Sequence, residues 1–329
     1  VAESVDSSTF GSIYHGMMQK IYNRIKGEKE KITVTADHID AIRKDKGLLN
    51  RYLEECFAKE YYKAPHSPEP LTGYDYLTGE IILKLIDKTL EKDRALTPFS
   101  YVASELPIHK NISIGNNRSI QLKGFIDRVD EHNGLIRIVD YKTGRERLDF
   151  KSVTELFYPS EKDRKKAIMQ VLFYCKLYKL YKTPIQPLQP SIYIVRNLFD
   201  KFESFLKYDK EPLTDFNLVE KEFDLYLTRC LEDIFDLDKP FSQTTVSIRS
   251  APLRCGNDNN VPRCACAARS PQDSRLFQGP PRSFYALHND PSRYKRPLFR
   301  SSFRRRSSRG SLRDYGACPP RSRSDRARA

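Results

Sequence analysis

Asp127, Asp140 and Lys142 are residues whose types and spacing could do chemistry together. They fall in GFIDRVDEHNGLIRIVDYKTG (124–144), where two alternating, largely apolar runs flank Asn133-Gly134. That dipeptide is a strong signal for a two-residue hairpin. Each predicted strand delivers one aspartate, and the two-residue step from Asp140 to Lys142 puts both side chains on one face. Two carboxylates and an amine converging on a sheet face are the parts of a divalent-metal site for phosphodiester hydrolysis. Asp127 and Asp140 are hard oxygen ligands suited to Mg2+ (or Mn2+), and the backbone carbonyl of Tyr141 can add a further oxygen. Lys142 can orient the attacking water or stabilise developing negative charge.

An isolated Asp-x-Lys triplet is common and by itself reads as a salt-bridged surface pair. Its setting changes that reading. Asp140 closes the apolar run LIRIV, where a buried strand reaches the sheet edge, and the turn residues Thr143-Gly144 follow Lys142. Asp127 also interrupts an apolar run, in which an unpaired carboxylate is costly. Asp130, by contrast, reads as solvent-facing charge at a strand end, and Arg128 as lying on the face opposite Asp127.

The elements that must position these residues stand out as periodic segments. Ile13, Met17, Ile21 and Ile25, four apart, predict an amphipathic helix with His15 in its first turns. A second helical stretch follows Thr35-Ala36-Asp37-His38, and a third covers 75–95. YVASELPIHK (101–110) is extended and brings Glu105 ahead of the hairpin. Residues 163–181 form a strong helix with Gln170 and Tyr174 one turn apart on a shared face. PSIYIVRN (190–197) is a strand, and a last helix spans 216–236. Helices, three strands, a crossover helix, a strand and a helix describe an α/β domain with a mixed sheet covered by helices.

The formal net charge of +14 sits in one place: residues 246–329 carry 18 Arg and 1 Lys against 5 Asp, leaving 1–245 balanced. This Arg/Ser/Pro-rich tail shows no sustained period and is expected to be disordered. Two origins fit it: a genuine nucleic-acid-binding tail, or a shift of reading frame near residue 245, which the abruptness of the change favours. No run approaches the roughly 18 apolar residues of a membrane span, and no signal peptide opens the chain. Scattered cysteines do not suggest a secreted disulfide scaffold, so a cytoplasmic protein is expected. Beginning at Val1, the domain at 1–245 is expected to be incomplete at its N-terminus.

The motifs FGSIYHGMMQKIY (10–22), SELPI (104–108), GFIDRVD (124–130), IVDYKTG (138–144) and MQVLFYCKLY (169–178) resemble the PD-(D/E)XK nuclease superfamily. The similarity is to its RecB-like branch, which includes the RecB and AddB helicase–nucleases, and it covers most of residues 10–197 in the family's order. It implies a restriction-endonuclease-like fold and a Mg2+- or Mn2+-dependent deoxyribonuclease of the bacterial cytoplasm. By matching position, Asp127 and Asp140 are metal-binding acids, Lys142 is the catalytic lysine and His15 an additional metal ligand. Glu105 matches the acid on the preceding strand, in competition with a structural strand glutamate. Gln170 and Tyr174 match the QxxxY helix that supports the site and contacts DNA, although Tyr178 continuing the stripe also suits ordinary packing. The resemblance further implies a helicase motor, on the same protein or a partner subunit, and DNA ends or single strands as substrate in double-strand break repair. Many relatives carry an iron–sulphur cluster. Here Cys255, Cys264, Cys266 and Cys318 lack the compact spacing for it, so none is expected.

Blander readings fit the remaining candidates. His38, His66, His109 and His132 lack partners at ligand spacing; Tyr22, Tyr61 and Tyr62 read as core or surface aromatics; Lys165 and Lys166 read as a solvated helix face. Two other functions remain open: a nuclease fold that binds DNA without turnover, and an Arg-rich protein acting through its tail.

Overall fold

The computed structural model describes residues 4–115, 118–158, 165–200 and 202–239. The chain opens with α1 (Ser7–Lys26), whose N-cap Asp6 accepts from the Thr9 backbone N–H at 2.8 Å. Next come β1 (Ile32–Val34), α2 (Ala36–Lys44), α3 (Lys46–Glu60) and α4 (Gly73–Ala95). The sheet continues with β2 (Phe99–Ile114), β3 (Arg118–His132) and β4 (Leu135–Lys142). After β5 (Asp149–Phe150) and α5 (Thr154–Phe157), α6 (Lys166–Lys182) leads back to β6 (Leu188–Ile194). A 3-10 turn (Val195–Phe199), β7 (Lys207–Tyr208), β8 (Glu211–Pro212) and α7 (Asn217–Phe235) complete the described fold.

The main sheet has the order β1-β2-β3-β4-β6. Its first four strands are antiparallel neighbours, whereas β4 and β6 run parallel, with Lys142 opposite Ile194. The predicted hairpin is present: Asn133 and Gly134 both have positive φ, 51° and 75°, which matches the twist of the flanking strands. Strand β1 and the small sheet β5-β7-β8 were not anticipated. Two- and three-residue strands are too short to show a period.

Neighbouring residues of β4 point into different cores. Ile136 and Ile138 pack with α6 and α7, whereas Val139 and Tyr141 pack with α1, α3 and α4. The sheet is therefore covered on both faces, and α6 is apolar nearly all round because β-strands and α7 enclose it. A Cβ on Gly124 would lie 2.6 Å from Leu177 Cδ1 and 3.1 Å from Tyr174 Cε1. Glycine on β3 thus lets α6 approach closely enough to bring Tyr174 over the sheet. This mixed sheet flanked by helices is restriction-endonuclease-like.

Asp130 corrects the reading from sequence. It is fully buried, accepting from Arg128 Nε at 2.6 Å and from Arg137 Nε and Nη2 at 2.6 and 2.8 Å. Arg128 also reaches Asp93 on α4 and the Tyr141 hydroxyl, at 2.7 and 3.1 Å. Its remaining Nη2 meets no hydrogen-bond acceptor; the rings of Tyr22 and Phe99, 4.4 and 4.9 Å from the guanidinium carbon, face it instead. Strand-end position suggested solvent, but helix α4 covers the strand end and supplies an acid that local sequence cannot announce. Lys165 differs too: its side chain is nearly buried, donating to the Asp149 carbonyl and Glu155. His38 has a structural task, completing the capping box of α2 with Thr35.

No described helix is long and apolar enough to cross a membrane. The boundary at 245, the tail and its cysteines lie outside the described residues.

Candidate active site

The site forms where the β3–β4 ladder stops. The last paired residues on the site side are Arg128 and Val139. Beyond them the Tyr141 N–H donates to Asp127 Oδ2 at 2.8 Å. The aspartate thus takes a backbone donor that a continuing ladder would have paired, and the strands part around its carboxylate. On β2 the register shifts between Tyr101 and Ala103, opposite Asp130 and Val129, and two residues on, Glu105 has φ 46°. That left-handed conformation costs a non-glycine residue roughly 1–2 kcal/mol, and kinks of this kind re-aim side chains at functional edges.

His15, Glu105 and Asp127 converge, with one ligand atom from each within 4.8 Å of the others. His15 Nδ1 lies 3.4 Å from Asp127 Oδ2 and 3.7 Å from Glu105 Oε1, while its Nε2 is 3.0 Å from the Tyr141 carbonyl oxygen. Helix α1 is anchored by its buried Ile13, Tyr14, Met17 and Met18, and the rings of Tyr14 and Tyr141 meet the imidazole edge-on at 6.3 and 5.9 Å. Burial alone would lower the His15 pKa, but Asp127 and Glu105 reverse this and push it up to about 10. In the absence of a cation the two carboxylates thus favour the protonated ring, whereas holding a cation would need the neutral imidazole.

Asp140 is not part of that triad. Its carboxylate is buried, with Oδ2 ion-paired 2.7 Å from Lys142 Nζ and neither oxygen accepting a hydrogen bond. Burial raises its pKa above the usual carboxylate range, Lys142 opposes this, and Asp127 adds to it. Asp127 goes the other way: burial would raise it, but His15, Lys142 and the Tyr141 N–H hold it low. Lys142 stays charged because Asp140 and Asp127 outweigh its burial. Its Nζ also donates to Gln170 Oε1 at 2.8 Å, and Gln170 Nε2 donates to the Tyr174 hydroxyl at 2.7 Å. The second bond fixes which way the Gln170 amide faces. Tyr178 continues the stripe into the core.

The donors fit a divalent cation. An imidazole, two or three carboxylates and a backbone carbonyl form a largely oxygen set of the kind Mg2+ and Mn2+ take, and a buried carboxylate oxygen without a hydrogen bond is otherwise hard to explain. Two residues at this edge escaped the sequence reading. Glu146 is half-buried, and burial pushes its carboxyl up against the pull of Lys142 and Lys166. Arg196 donates from Nε to the Thr143 carbonyl at 3.0 Å. The available signal was its place as the first charge after the apolar run IYIV, since the carboxyl ends of parallel strands gather ligand-binding groups.

A helix-covered mixed sheet with acids, a lysine and a histidine at the edge where its strands part is a nuclease-type scaffold. The chain belongs to the PD-(D/E)XK nuclease superfamily, whose family model matches residues 1–264. Comparison with curated proteins returns no match.

Proposed function

We propose that this chain is a Mg2+- or Mn2+-dependent deoxyribonuclease of the RecB/AddB-like kind. In this reading it hydrolyses DNA ends or single strands in double-strand break repair, in a bacterial cytoplasm. It works beside a helicase motor on the same protein or a partner subunit. The catalytic unit is 1–245, with 246–329 an appendage. The observation that supports the reading best is Lys142 Nζ, held between Asp140 Oδ2 and Gln170 Oε1 beside the His15–Glu105–Asp127 triad.

Asp127, Asp140, the Tyr141 carbonyl and His15 would hold the cation, and Glu105 would assist. When bound there it supplies charge neutralisation at the phosphate and a more acidic attacking water. The protein's own groups do the rest. Gln170 takes one of the three N–H donors of Lys142, and Asp140 Oδ2 is ion-paired with its Nζ at 2.7 Å. A remaining N–H can meet a non-bridging phosphate oxygen or orient the attacking water as negative charge develops. Tyr174 accepts from Gln170 and so keeps the amide oxygen on the lysine. Asp127, anchored by the Tyr141 N–H, keeps a second oxygen for its ligand role.

The full chain, assayed on linear single- and double-stranded DNA with Mg2+ or Mn2+, should cleave only with metal. Lys142→Ala should reduce turnover by about 10²- to 10³-fold, the usual cost of losing one charge-stabilising donor, while DNA binding persists. Binding without cleavage by the wild-type chain in either metal would replace this reading with the inactive binding module.

A further inference from the structure

Beyond Lys142 the edge of the sheet carries a second cationic group. Strand β6 runs parallel to β4 with Ile194 opposite Lys142, and Arg196 lies two residues further on, at the start of the 3-10 turn. Its Nε donates to the Thr143 carbonyl, the residue directly after Lys142. One of five guanidinium N–H donors is thereby anchored to the backbone, which sets the position of the fork. The residue is exposed, and among the described residues it makes no ion pair. Arg43 and Arg94, by contrast, are each bound to a carboxylate, Asp87 and Asp40. On the other side of Thr143 lies α1, where a Cβ on Gly11 would be 3.5 Å from Thr143 Oγ1. Gly11 is one helical turn before His15 and shares its face. Arg196 and the His15 helix therefore flank the end of β4.

We propose that Arg196 binds the DNA strand, gripping the non-bridging oxygens of the phosphate next to the scissile one and keeping the strand in register with Lys142. This rests on the nuclease reading above. The anchor is the carbonyl of Thr143, the residue after Lys142, so the fork sits at the same end of β4 as the lysine. An exposed, pre-positioned fork suits a phosphate bidentately. A backbone phosphate carries no base identity, so this contact adds affinity and register without sequence preference.

The test compares the full-length wild-type chain with Arg196→Ala and Arg196→Lys. Binding of a labelled single-stranded oligodeoxythymidylate is titrated against salt in EDTA, and cleavage is followed separately in Mg2+ or Mn2+. Arg196→Ala should bind about tenfold more weakly, with a log K against log salt slope shallower by about 0.7, one phosphate's share for a single strand. KM should rise by a similar factor while kcat falls less than about threefold, the pattern of a lost uniform binding contact. Arg196→Lys should restore most of the salt slope but not the full affinity, because it keeps the charge and loses the fork. An unchanged salt slope in Arg196→Ala, or a fall in kcat at unchanged KM, would overturn the proposal and leave Arg196 as a brace for the end of β4. A wild-type chain that binds but never cuts refutes the nuclease reading instead, and the EDTA titration still decides whether Arg196 holds the strand.

Discussion

Replacing Asp130 by Asn tests the buried charge cluster behind the site. Asp130 is fully buried and accepts three short bonds from Arg128 and Arg137. The amide keeps one oxygen acceptor but loses the charge, leaving Arg128 with Asp93 as its one acid and Arg137 with no acid, only the retained oxygen and a 3.4 Å contact to the Tyr193 hydroxyl. Removing one partner of a buried ion pair costs about 3–5 kcal/mol, because the other charge stays buried without compensation. The retained oxygen places this case near the lower end, about 3 kcal/mol. For a folded unit of this size each kcal/mol moves Tm by roughly 2–4 °C, so Asp130→Asn should melt about 6–12 °C lower. Circular dichroism melts of the full-length proteins at neutral pH would read this directly. The pH dependence has a fixed sign. Burial would raise the Asp130 pKa, but Arg137 and Arg128 override it and hold the carboxyl below its ordinary value. Its contribution is therefore complete above the unfolded value of about 3.9 and fades as pH falls through the lower folded value. The difference in Tm between the two proteins should shrink below about pH 4. A shift under about 2 °C at neutral pH would refute the reasoning, showing that local relaxation solvates the arginines.

Other perturbations act on the site's supports. Gly124→Val puts side-chain atoms where Leu177 and Tyr174 already sit. It should cost about 1–3 kcal/mol by overpacking and lower kcat more than DNA affinity, as read by denaturant melts and steady-state cleavage. Gln170→Ala releases Lys142 and Tyr174 together. It should lower kcat about 10- to 100-fold, roughly 1.4–2.8 kcal/mol, with DNA binding in EDTA unchanged; a loss of binding with kcat preserved would assign Gln170 to the strand instead.

The hairpin was legible because it is local. Asn133-Gly134 fixes the turn, and alternation places Asp140 with Lys142. The helices bearing His15 and Gln170 were equally legible from their periods. What periodicity could not supply was pairing across long distances in sequence. Asp130 looked like a solvated strand end because Asp93, the second acid of its partner Arg128, comes from α4. Glu105 carried no mark of its left-handed backbone, since glutamate seldom adopts one. The division of labour between the acids was also hidden: composition gives two equivalent aspartates, but Asp127 holds a backbone N–H and meets His15 while Asp140 faces Lys142. Lys165 was misjudged because a lysine at a helix start shows no sign that β5 and α5 supply its acceptors Asp149 and Glu155.

The covering of the sheet on both faces has a consequence for how the protein is made. His15 arrives from the layer beneath the sheet and Gln170 from the layer above, with the acids and Lys142 between them. A ribosome translating this chain releases His15 first and the braces of Lys142 last. Until α6 has emerged and closed over β3 and β4, the nascent chain carries the reactive side chains without their arrangement. A partly made copy that lacks α6 thus holds the side chains of the site but not the Gln170 contact that positions Lys142.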